Sequence, residues 1–245
     1  MAVPSRTRPV IRFDFSFFEV AAQCPDVATI VVQLDRNGRR SMQGIGYMEF
    51  ADESVPLSEE DVLNILRQTG AFLKGHFQLR SGLHSDQYVQ CAMVLQWPRE
   101  AERLGRELAR RVCAAGWKAA TVIAPAMGGL FVGHELARAL GARSIFAEKQ
   151  EGRLVLRRGF SIRPGERCIV AEDVITRGGR VVETIQIVRS AGGHVEGVAV
   201  LVDRSAGAAA LDVPVVSLVR IAPTTWTPDE CPLCRAGGRP EHPGS

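Results

Sequence analysis

Two adjacent carboxylates, Glu172 and Asp173, lie between an apolar run and a loop that reads Thr-Arg-Gly-Gly-Arg over residues 176–180. Apolar residues at helical spacing follow from Val181 onward, so this order predicts a buried parallel strand, a loop and a helix. A loop that opens a helix presents backbone N–H groups and the positive end of the helix dipole, which together hold a phosphate. Carboxylates accept hydrogen bonds from sugar hydroxyls, so the stretch indicates a site for a phosphorylated ribose. The alternative is an acid pair that only caps or solvates the end of a strand.

Two further loops follow apolar runs in the same way. Pro125–Gly129 follows a run that starts at Thr121 and opens a second helical pattern, so its N–H groups are candidates for binding a second anion such as pyrophosphate. Arg204 follows Asp203 at the end of another run, where its guanidinium can hold a carboxylate or a planar pair of carbonyls with two hydrogen bonds. The alternatives are an ordinary strand-to-helix turn and a surface ion pair with Asp203.

The longest stretch without a regular pattern is 148–166, between two predicted core strands. Its basic side chains are Lys149, Arg153, Arg157, Arg158 and Arg163. A basic, glycine-containing loop in this position predicts a lid that closes over a charged substrate. The alternative is a solvated hairpin with Leu154–Leu156 and Phe160–Ile162 as its arms.

The elements that must position these loops alternate between strands and helices. Ser58 and Asp61 resemble a capping box, and the helix that it opens extends to Thr69, with Gly70 as a stop signal. This alternation predicts a parallel α/β sheet with ligands at the carboxyl ends of its strands. The other predicted helices are Arg99–Ala115 and Leu130–Leu140, and the predicted strands are Tyr88–Leu95, Thr121–Ala124, Ser144–Ala147, Val195–Val202 and Val213–Val219.

Length and charge narrow the class of protein. A chain of 245 residues buries a sizeable core, most simply as one domain with appendages. The formal charge of +3 gives no case for a nucleic-acid partner. No apolar stretch reaches the roughly 18 to 20 residues that span a bilayer, and no signal-peptide pattern is present, so we expect a cytoplasmic protein without a membrane partner. The chain lacks a Gly-x-x-x-x-Gly-Lys-Ser/Thr loop, which disfavours a kinase or a nucleotide hydrolase.

The first 50 or so residues do not share the alternating pattern. Phe13–Val20 and Thr29–Leu34 are apolar enough for a strand or a short helix. Because Met48 lies shortly before the first well-formed helix, one hypothesis is that translation starts there.

The six cysteines fit a reducing compartment. Cys231 and Cys234 form a Cys-x-x-Cys pair, and His242 is the only nearby candidate for a further ligand. A structural zinc site needs four ligands, so we interpret the pair as reduced surface thiols, with zinc as the alternative.

Taken together, these residues resemble the orotate phosphoribosyltransferases. The resemblance extends from Leu57 to about Gly244, and Glu230–Cys234 is similar to the tail of one bacterial branch of that family. The motifs that carry it are Phe77–Gly82 with Tyr88, Pro125–Gly129, Glu172–Arg180 and Leu201–Arg204.

The resemblance implies an α/β fold with a central, mostly parallel sheet flanked by helices, a small N-terminal hood and a mobile loop. It divides the chain into an N-terminal extension (1–56), a phosphoribosyltransferase domain (57–223) and a C-terminal tail (224–245). The implied reaction is the Mg²⁺-dependent transfer of a phosphoribosyl group from phosphoribosyl pyrophosphate to orotate, in pyrimidine biosynthesis. The implied assembly is a homodimer whose loop reaches into the neighbouring subunit's site. A phosphoribosyltransferase for another base and a regulator with the same fold are the alternatives.

The resemblance also implies roles for single residues. Glu172 and the catalytic Asp173 hold the ribose hydroxyls, and the catalytic Lys149 neutralises the departing pyrophosphate, with Arg153 as a substitute. The orotate contacts are Thr176 and Arg204, with Tyr88 near the pyrimidine and Arg80 where the family usually has a lysine. The stretch that holds the 5-phosphate comprises Thr176, Arg177, Gly178, Gly179 and Arg180, and Val174 and Ile175 just before it are also among the implied substrate-binding residues. Two departures from the family pattern are Gly128, where many members have a lysine, and the absence of a histidine between Lys149 and Glu166.

Overall fold

The computed structural model describes residues 29–34, 40–46, 55–79, 81–205, 207, 209 and 211–243. The chain divides into two compact units, Met1–Ser54 and Val55–Ser245. In the first unit, β1 (Thr29–Leu34) pairs antiparallel with β2 (Arg40–Gly46). Thr29–Leu34 is therefore a strand, whereas the apolar segment 13–20 lies outside the described residues.

The second unit alternates helices and strands as the sequence predicts. In its described part, no helix is both long enough and apolar enough to cross a membrane. In chain order its elements are α1 (Glu59–Gln68), β3 (Phe72–Gln78), β4 (His84–Val89), α2 (Ala92–Leu95), α3 (Pro98–Ala114), β5 (Thr121–Pro125), α4 (Gly129–Leu140), β6 (Arg143–Gln150), β7 (Arg153–Leu156), β8 (Arg167–Ile175), α5 (Gly179–Ser190), β9 (His194–Asp203), β10 (Val215–Arg220), β11 (Thr225–Trp226), a 3₁₀ turn (Pro228–Glu230) and α6 (Pro232–Arg235).

The main sheet has six strands in the order β10-β9-β8-β5-β6-β7, and all neighbours are parallel except the β6–β7 pair. The central strand β8 is buried on both faces, as a parallel strand in an α/β sheet requires. Ile169 and Ala171 pack with helices α1, α3 and α4, whereas Cys168 and Val170 pack with α5. The predicted mostly parallel sheet flanked by helices is therefore confirmed.

The start of α1 also follows the prediction. The Ser58 hydroxyl accepts a hydrogen bond from the Asp61 amide (3.1 Å), and the Asp61 carboxylate accepts one from the Ser58 amide (2.9 Å). The two bonds satisfy backbone donors that the first turn of a helix leaves open.

A three-stranded antiparallel sheet in the order β11-β4-β3 lies outside the main sheet and corresponds to the expected small hood. Strand β3 is not among the strands predicted from the sequence, because Lys74, Gly75 and His76 interrupt any apolar pattern. Gly75 is required there, since a Cβ at this position would lie 2.9 Å from the Phe77 ring. That ring packs 5.7 Å from the ring of Tyr88 on β4.

The predicted strand Tyr88–Leu95 was wrong in its second half. Strand β4 ends at Val89, and Ala92–Leu95 is the short helix α2, in which Val94 and Leu95 are buried. A short continuous apolar run does not distinguish a buried strand from a buried helix by its periodicity.

Candidate active site

Three of the loops picked out in the sequence lie side by side at one edge of the main sheet. The turn after β5, the loop after β8 and Arg204 after β9 all leave the carboxyl ends of adjacent parallel strands. This edge is where open α/β sheets bind ligands.

The acid pair lies at the end of β8 with its two members in different environments. Glu172 is only 3 % exposed, whereas Asp173 is half-buried. Asp173 donates its amide to Glu172 Oε1 (3.2 Å), and Asp173 Oδ1 accepts the amide of Val174 (2.8 Å). Burial, reinforced by the negative charge of Asp173, raises the pKa of Glu172 to about 8. Glu172 therefore keeps its proton at neutral pH.

The loop after the acid pair is shaped to hold an anion. Thr176 and Arg177 are exposed, and Gly178 adopts the left-handed conformation (φ 77°), which favours glycine. Helix α5 begins directly afterwards, at Gly179, with no side chain capping its first turn. The N–H groups of that turn are thus open to an anion from solvent.

Two predicted substrate-binding residues just before this loop do not place their side chains in it. Ile175 is buried in the core with α5, and Val174 packs against the core on the other face. These two residues can therefore reach a ligand only through their backbone. Arg180 donates a hydrogen bond to the carbonyl of Ala126, so it joins the phosphate loop to the turn after β5.

The turn after β5 is packed tightly against the acid pair. A Cβ on Gly128 would lie 2.9 Å from Asp173 Oδ1, and a Cβ on Gly129 would lie 3.0 Å from the carbonyl oxygen of Ala171. The turn therefore needs glycine at both positions while Asp173 keeps this position. For Gly128, this contact gives a physical reason for the departure from the family pattern.

Arg204 is held at the same edge by its backbone. Its amide donates to the carbonyl of Ile175 (2.8 Å), while its Nε is buried without a hydrogen-bond partner. Burial lowers the pKa of Arg204, and the nearby Tyr88 and Cys91 oppose that shift.

The alternative of an ion pair between Asp203 and Arg204 is not observed. Asp203 Oδ1 accepts the amide of Ser205 (2.9 Å), and Oδ2 lies 3.8 Å from Arg220 Nε. Tyr88, the predicted pyrimidine neighbour, is half-buried on β4, whereas Arg80 lies outside the described residues.

The basic stretch 148–166 is a hairpin in its first part, not an irregular loop. Strand β6 continues to Gln150, and β7 returns antiparallel from Arg153 after a turn at Glu151 (φ 50°) and Gly152 (φ 84°). The arms are thus β6 and β7, and the expected second arm at Phe160–Ile162 was wrong.

Lys149, the second-last residue of β6, and Arg153, the first residue of β7, lie exposed near the tip of this hairpin. The hairpin base is fixed by a two-bond ion pair between Arg158 and Glu148 (2.7 and 3.0 Å). Its returning strand is anchored to α5, because the Leu154 amide donates to Glu183 (3.1 Å).

Arg163 belongs to the other edge of the sheet. Its amide donates to Glu166 (2.9 Å), which also pairs with Arg143 at the start of β6 (2.7 Å). A lid at the ligand edge therefore includes the hairpin but not Arg163.

The chain matches the family model of the phosphoribosyl transferase domain over residues 91–233. The orotate phosphoribosyltransferase of Desulforamulus reducens is 50% identical over 189 residues, which cover 77% of this chain and 98% of that protein. The protein of the same name from Pelotomaculum thermopropionicum gives the same identity and coverage. The chain belongs to the orotate phosphoribosyltransferase family.

Solved structures of the family agree with the fold. The orotate phosphoribosyltransferase of Aeropyrum pernix is 27% identical with a TM-score of 0.57 and covers 65% of this chain and 93% of its own. The enzyme of Mycobacterium tuberculosis H37Rv, solved in complex with 5-phospho-alpha-D-ribosyl 1-diphosphate, is 25% identical with a TM-score of 0.53. That alignment covers 67% of this chain and 96% of the other.

Sequence reasoning did not associate Cys91 with the site. Its buried thiol donates to the carbonyl of Asp173 (3.8 Å) and so lies beneath the acid pair. Burial, with the charges of Asp173 and Glu172, raises the pKa of Cys91 well above its usual range, so the thiol is inert and supports the pair by packing. Nothing in the sequence marks this contact, because it joins α2 to β8.

Proposed function

We propose that this protein transfers the phosphoribosyl group of phosphoribosyl pyrophosphate to orotate, releasing pyrophosphate and forming orotidine 5'-monophosphate in the cytoplasm. The observation that carries the proposal is Arg204. Its buried Nε has no hydrogen-bond partner among the described residues and lies close to Tyr88. A buried Nε without a hydrogen-bond partner is costly, and the carboxylate of orotate supplies the planar, negative partner that a guanidinium binds with two hydrogen bonds.

The acid pair fits the ribose of the donor. Asp173 is half-buried at the sheet edge and is positioned to accept hydrogen bonds from the ribose hydroxyls. Glu172 lies deeper, and burial raises its pKa to about 8, so it is mostly protonated at neutral pH and adds little negative charge to the site. Asp173, the less buried of the two, is the residue that would hold Mg²⁺, which takes one or two carboxylates together with substrate oxygens and water. When bound, Mg²⁺ would supply positive charge that neutralises the pyrophosphate.

The loops on either side of the acid pair fit the two phosphate ends of the donor. Thr176, Arg177 and the open first turn of α5 are assigned to the 5-phosphate, and the turn around Gly128 to pyrophosphate. Arg180, which bonds the Ala126 carbonyl, keeps these two loops in register. Lys149, with Arg153 beside it on the hairpin, is assigned to neutralise the departing pyrophosphate.

The chemistry requires charge stabilisation more than acid–base catalysis. Displacing pyrophosphate from C1 builds positive charge on the ribose and negative charge on the leaving group. Orotate is a sufficient nitrogen nucleophile once it is deprotonated, so no covalent intermediate with the protein is needed. The side chains therefore act by positioning and electrostatic stabilisation, and closure of the hairpin excludes water that would otherwise hydrolyse the sugar cation.

The first test is to mix the protein with Mg²⁺, phosphoribosyl pyrophosphate and orotate and to follow the loss of orotate absorbance, with uracil and hypoxanthine as parallel acceptors. Orotate alone should react, because uracil lacks the carboxylate and hypoxanthine has the wrong shape. Equal rates with uracil, or no reaction with any base, would refute the proposal.

The carboxylate contact is tested by Arg204→Gln. Loss of a charge-assisted hydrogen bond, about 1.5–3 kcal/mol, should lower kcat/KM for orotate roughly 10- to 100-fold. Arg220→Gln is the matched control, since Arg220 is exposed and lies near Asp203 at the same edge, and it should leave kcat/KM close to the wild-type value. An unchanged kcat/KM for orotate in Arg204→Gln would remove Arg204 from the base site.

We also propose a homodimer in which the hairpin tip of one protomer closes over the partner's site. Lys149 projects from the tip into solvent, as a residue used by another subunit would. In the test, two inactive variants, Lys149→Ala and Asp173→Asn, are mixed, and transferase activity is measured after their subunits have exchanged. A shared site restores activity at about a quarter of the sites, because half of the dimers carry one intact site. No restoration, with exchange verified by mass spectrometry, would place the whole site in one chain.

A further inference from the structure

Four potential metal ligands from two distant parts of the chain meet at the edge of the three-stranded sheet. They are His76, His84, Cys231 and Cys234, and their ligand atoms all lie within 4.8 Å of one another. His84 and Cys231 are buried, whereas His76 and Cys234 are half-buried. His242, the further ligand that the sequence suggested, is exposed and is not part of this cluster.

The distances within the cluster match those around one tetrahedral zinc ion. With Zn–S near 2.3 Å and Zn–N near 2.0–2.1 Å, a tetrahedral site separates nitrogen from sulfur by about 3.5 Å. The nitrogen–sulfur distances are 3.4 Å (His76 to Cys231), 3.6 Å (His76 to Cys234) and 3.3 Å (His84 to Cys234). The two ring nitrogens are 3.0 Å apart, a few tenths of an ångström less than the tetrahedral distance of about 3.3 Å.

Hydrogen bonding alone does not account for this arrangement. Nε2 of His76 lies within 3.0–3.6 Å of three partners at once, namely His84, Cys231 and Cys234. A ring nitrogen has either one proton or one lone pair, so it satisfies one of these contacts and not three. A single cation at the centre accepts a lone pair from each of the four atoms. The two thiols are not joined in a disulfide.

The fold brings these ligands together through backbone pairing on two sides. Cys231 and Cys234 are three residues apart at the start of α6, so their sulfurs share one face of the helix. Strand β11 pairs Trp226 with His84. Farther along the tail, the Glu241 amide donates to the carbonyl of His76 (2.7 Å).

We propose that His76, His84, Cys231 and Cys234 bind a structural Zn²⁺ ion that fastens the C-terminal tail to the β3–β4 hairpin. Four protein ligands leave no open position, so the ion is structural and not catalytic. The close approach of all four atoms fits one ion, not a two-iron cluster, in which the ligands are divided between two metals. The proposal is independent of the transferase reaction, since none of the four residues was assigned to substrate.

The test begins with the untagged full chain, purified without chelator and analysed for metals by mass spectrometry. About one zinc per chain is expected in the wild type and in Cys113→Ser, a matched control that removes an exposed thiol outside the cluster. Cys234→Ser and His76→Gln should lose most of the zinc. Equal zinc in Cys234→Ser and Cys113→Ser, a zinc-free wild type, or stoichiometric iron would each overturn the proposal.

The wild-type chain supplies a second test that does not depend on the folding of variants. A strong zinc chelator should lower the Tm and make two more thiols reactive toward a thiol reagent, and added Zn²⁺ should reverse both changes. Replacement by Co²⁺ should give the intense visible bands of a tetrahedral site with two thiolates. Thiol reactivity and Tm that do not respond to the chelator, or a disulfide between Cys231 and Cys234 in the freshly purified protein, would refute a bound ion.

Discussion

The proton on Glu172 gives a sharp prediction about stability. In the unfolded chain this carboxyl loses its proton near its ordinary pKa of 4.5, whereas in the folded protein burial and Asp173 raise the pKa to about 8. Between these two values, unfolding releases a proton, so stability falls as the pH rises through the window and levels off above about pH 8. Glu172→Gln removes the titration and keeps the shape, so it should abolish this part of the pH dependence.

The magnitude follows from the same two values. At about 1.4 kcal/mol per pH unit, the interval from 4.5 to about 8 corresponds to roughly 5 kcal/mol. The side chain is only 3 % exposed, so solvent screening removes little of this energy. Because the titration of Glu172 is coupled to that of Asp173, part of this energy is shared between the two residues. Between pH 5 and pH 9 we therefore expect the stability of the variant to rise by at least about 2 kcal/mol relative to that of the wild type.

The assay is urea unfolding of wild type and Glu172→Gln at pH 5, 7 and 9, with transferase activity measured in parallel. The gain in stability should be accompanied by a loss of activity, since the variant alters the ribose site. Glu166→Gln is a control of opposite sign. Burial tends to raise the pKa of Glu166, but hydrogen bonds from Thr121, the Arg163 amide and Arg143 outweigh it and lower the pKa. Glu166→Gln should therefore lose stability at neutral pH. A difference between Glu172→Gln and wild type that does not change with pH would refute the reasoning.

Three further predictions concern the same edge of the sheet. Asp173→Asn should lower kcat by about 100-fold or more, because the ribose loses its charged partner, while the urea midpoint stays close to wild type; near-normal turnover would remove Asp173 from the site. Lys149→Ala should lower kcat more than it weakens orotate binding, whereas the exposed Lys118→Ala should change neither, and the reverse pattern for Lys149 would argue against a role at the leaving group. Gly128→Ala should weaken binding of phosphoribosyl pyrophosphate by about tenfold, because the added Cβ would lie 2.9 Å from Asp173 Oδ1 and displace that carboxylate. Unchanged binding by calorimetry would mean that Asp173 shifts without consequence.

The strand, loop and helix that carry the proposed phosphate and ribose contacts could be predicted because they are encoded locally. A buried strand, two acidic residues, a glycine turn and a helix follow one another within residues 168–190, so the pattern of each element predicts where the next one begins. The parallel sheet then aligns this unit with the turn after β5, since adjacent parallel strands end at the same edge. The predicted positions of Glu172, Asp173 and Gly178 needed no information from elsewhere in the chain.

The contacts between distant segments could not be predicted in the same way. Nothing near Gly128 in the sequence shows that Asp173 would occupy the space of its side chain. The hairpin at Lys149 was interpreted as an irregular loop because charged residues hide the pairing of β6 with β7. His76 and His84 show no metal-binding pattern in the sequence, since their two partner cysteines follow about 150 residues later and are brought near by backbone pairing of the tail with β3 and β4.

The acid pair with its phosphate loop and the proposed base neighbour Tyr88 are therefore held in place by different sheets. The acid pair and the phosphate loop extend from β8, which has a strand on each side and a buried core on each face. Tyr88 lies on a sheet of three strands, one of which, β11, has only two residues. A short edge strand contributes few hydrogen bonds, so the position of Tyr88 depends on how the tail is fastened to the β3–β4 hairpin. Arg204, the other proposed contact to the base, follows β9 and is held by the main sheet. A closed metal site built from His76, His84, Cys231 and Cys234 supplies that attachment where the hydrophobic core does not extend.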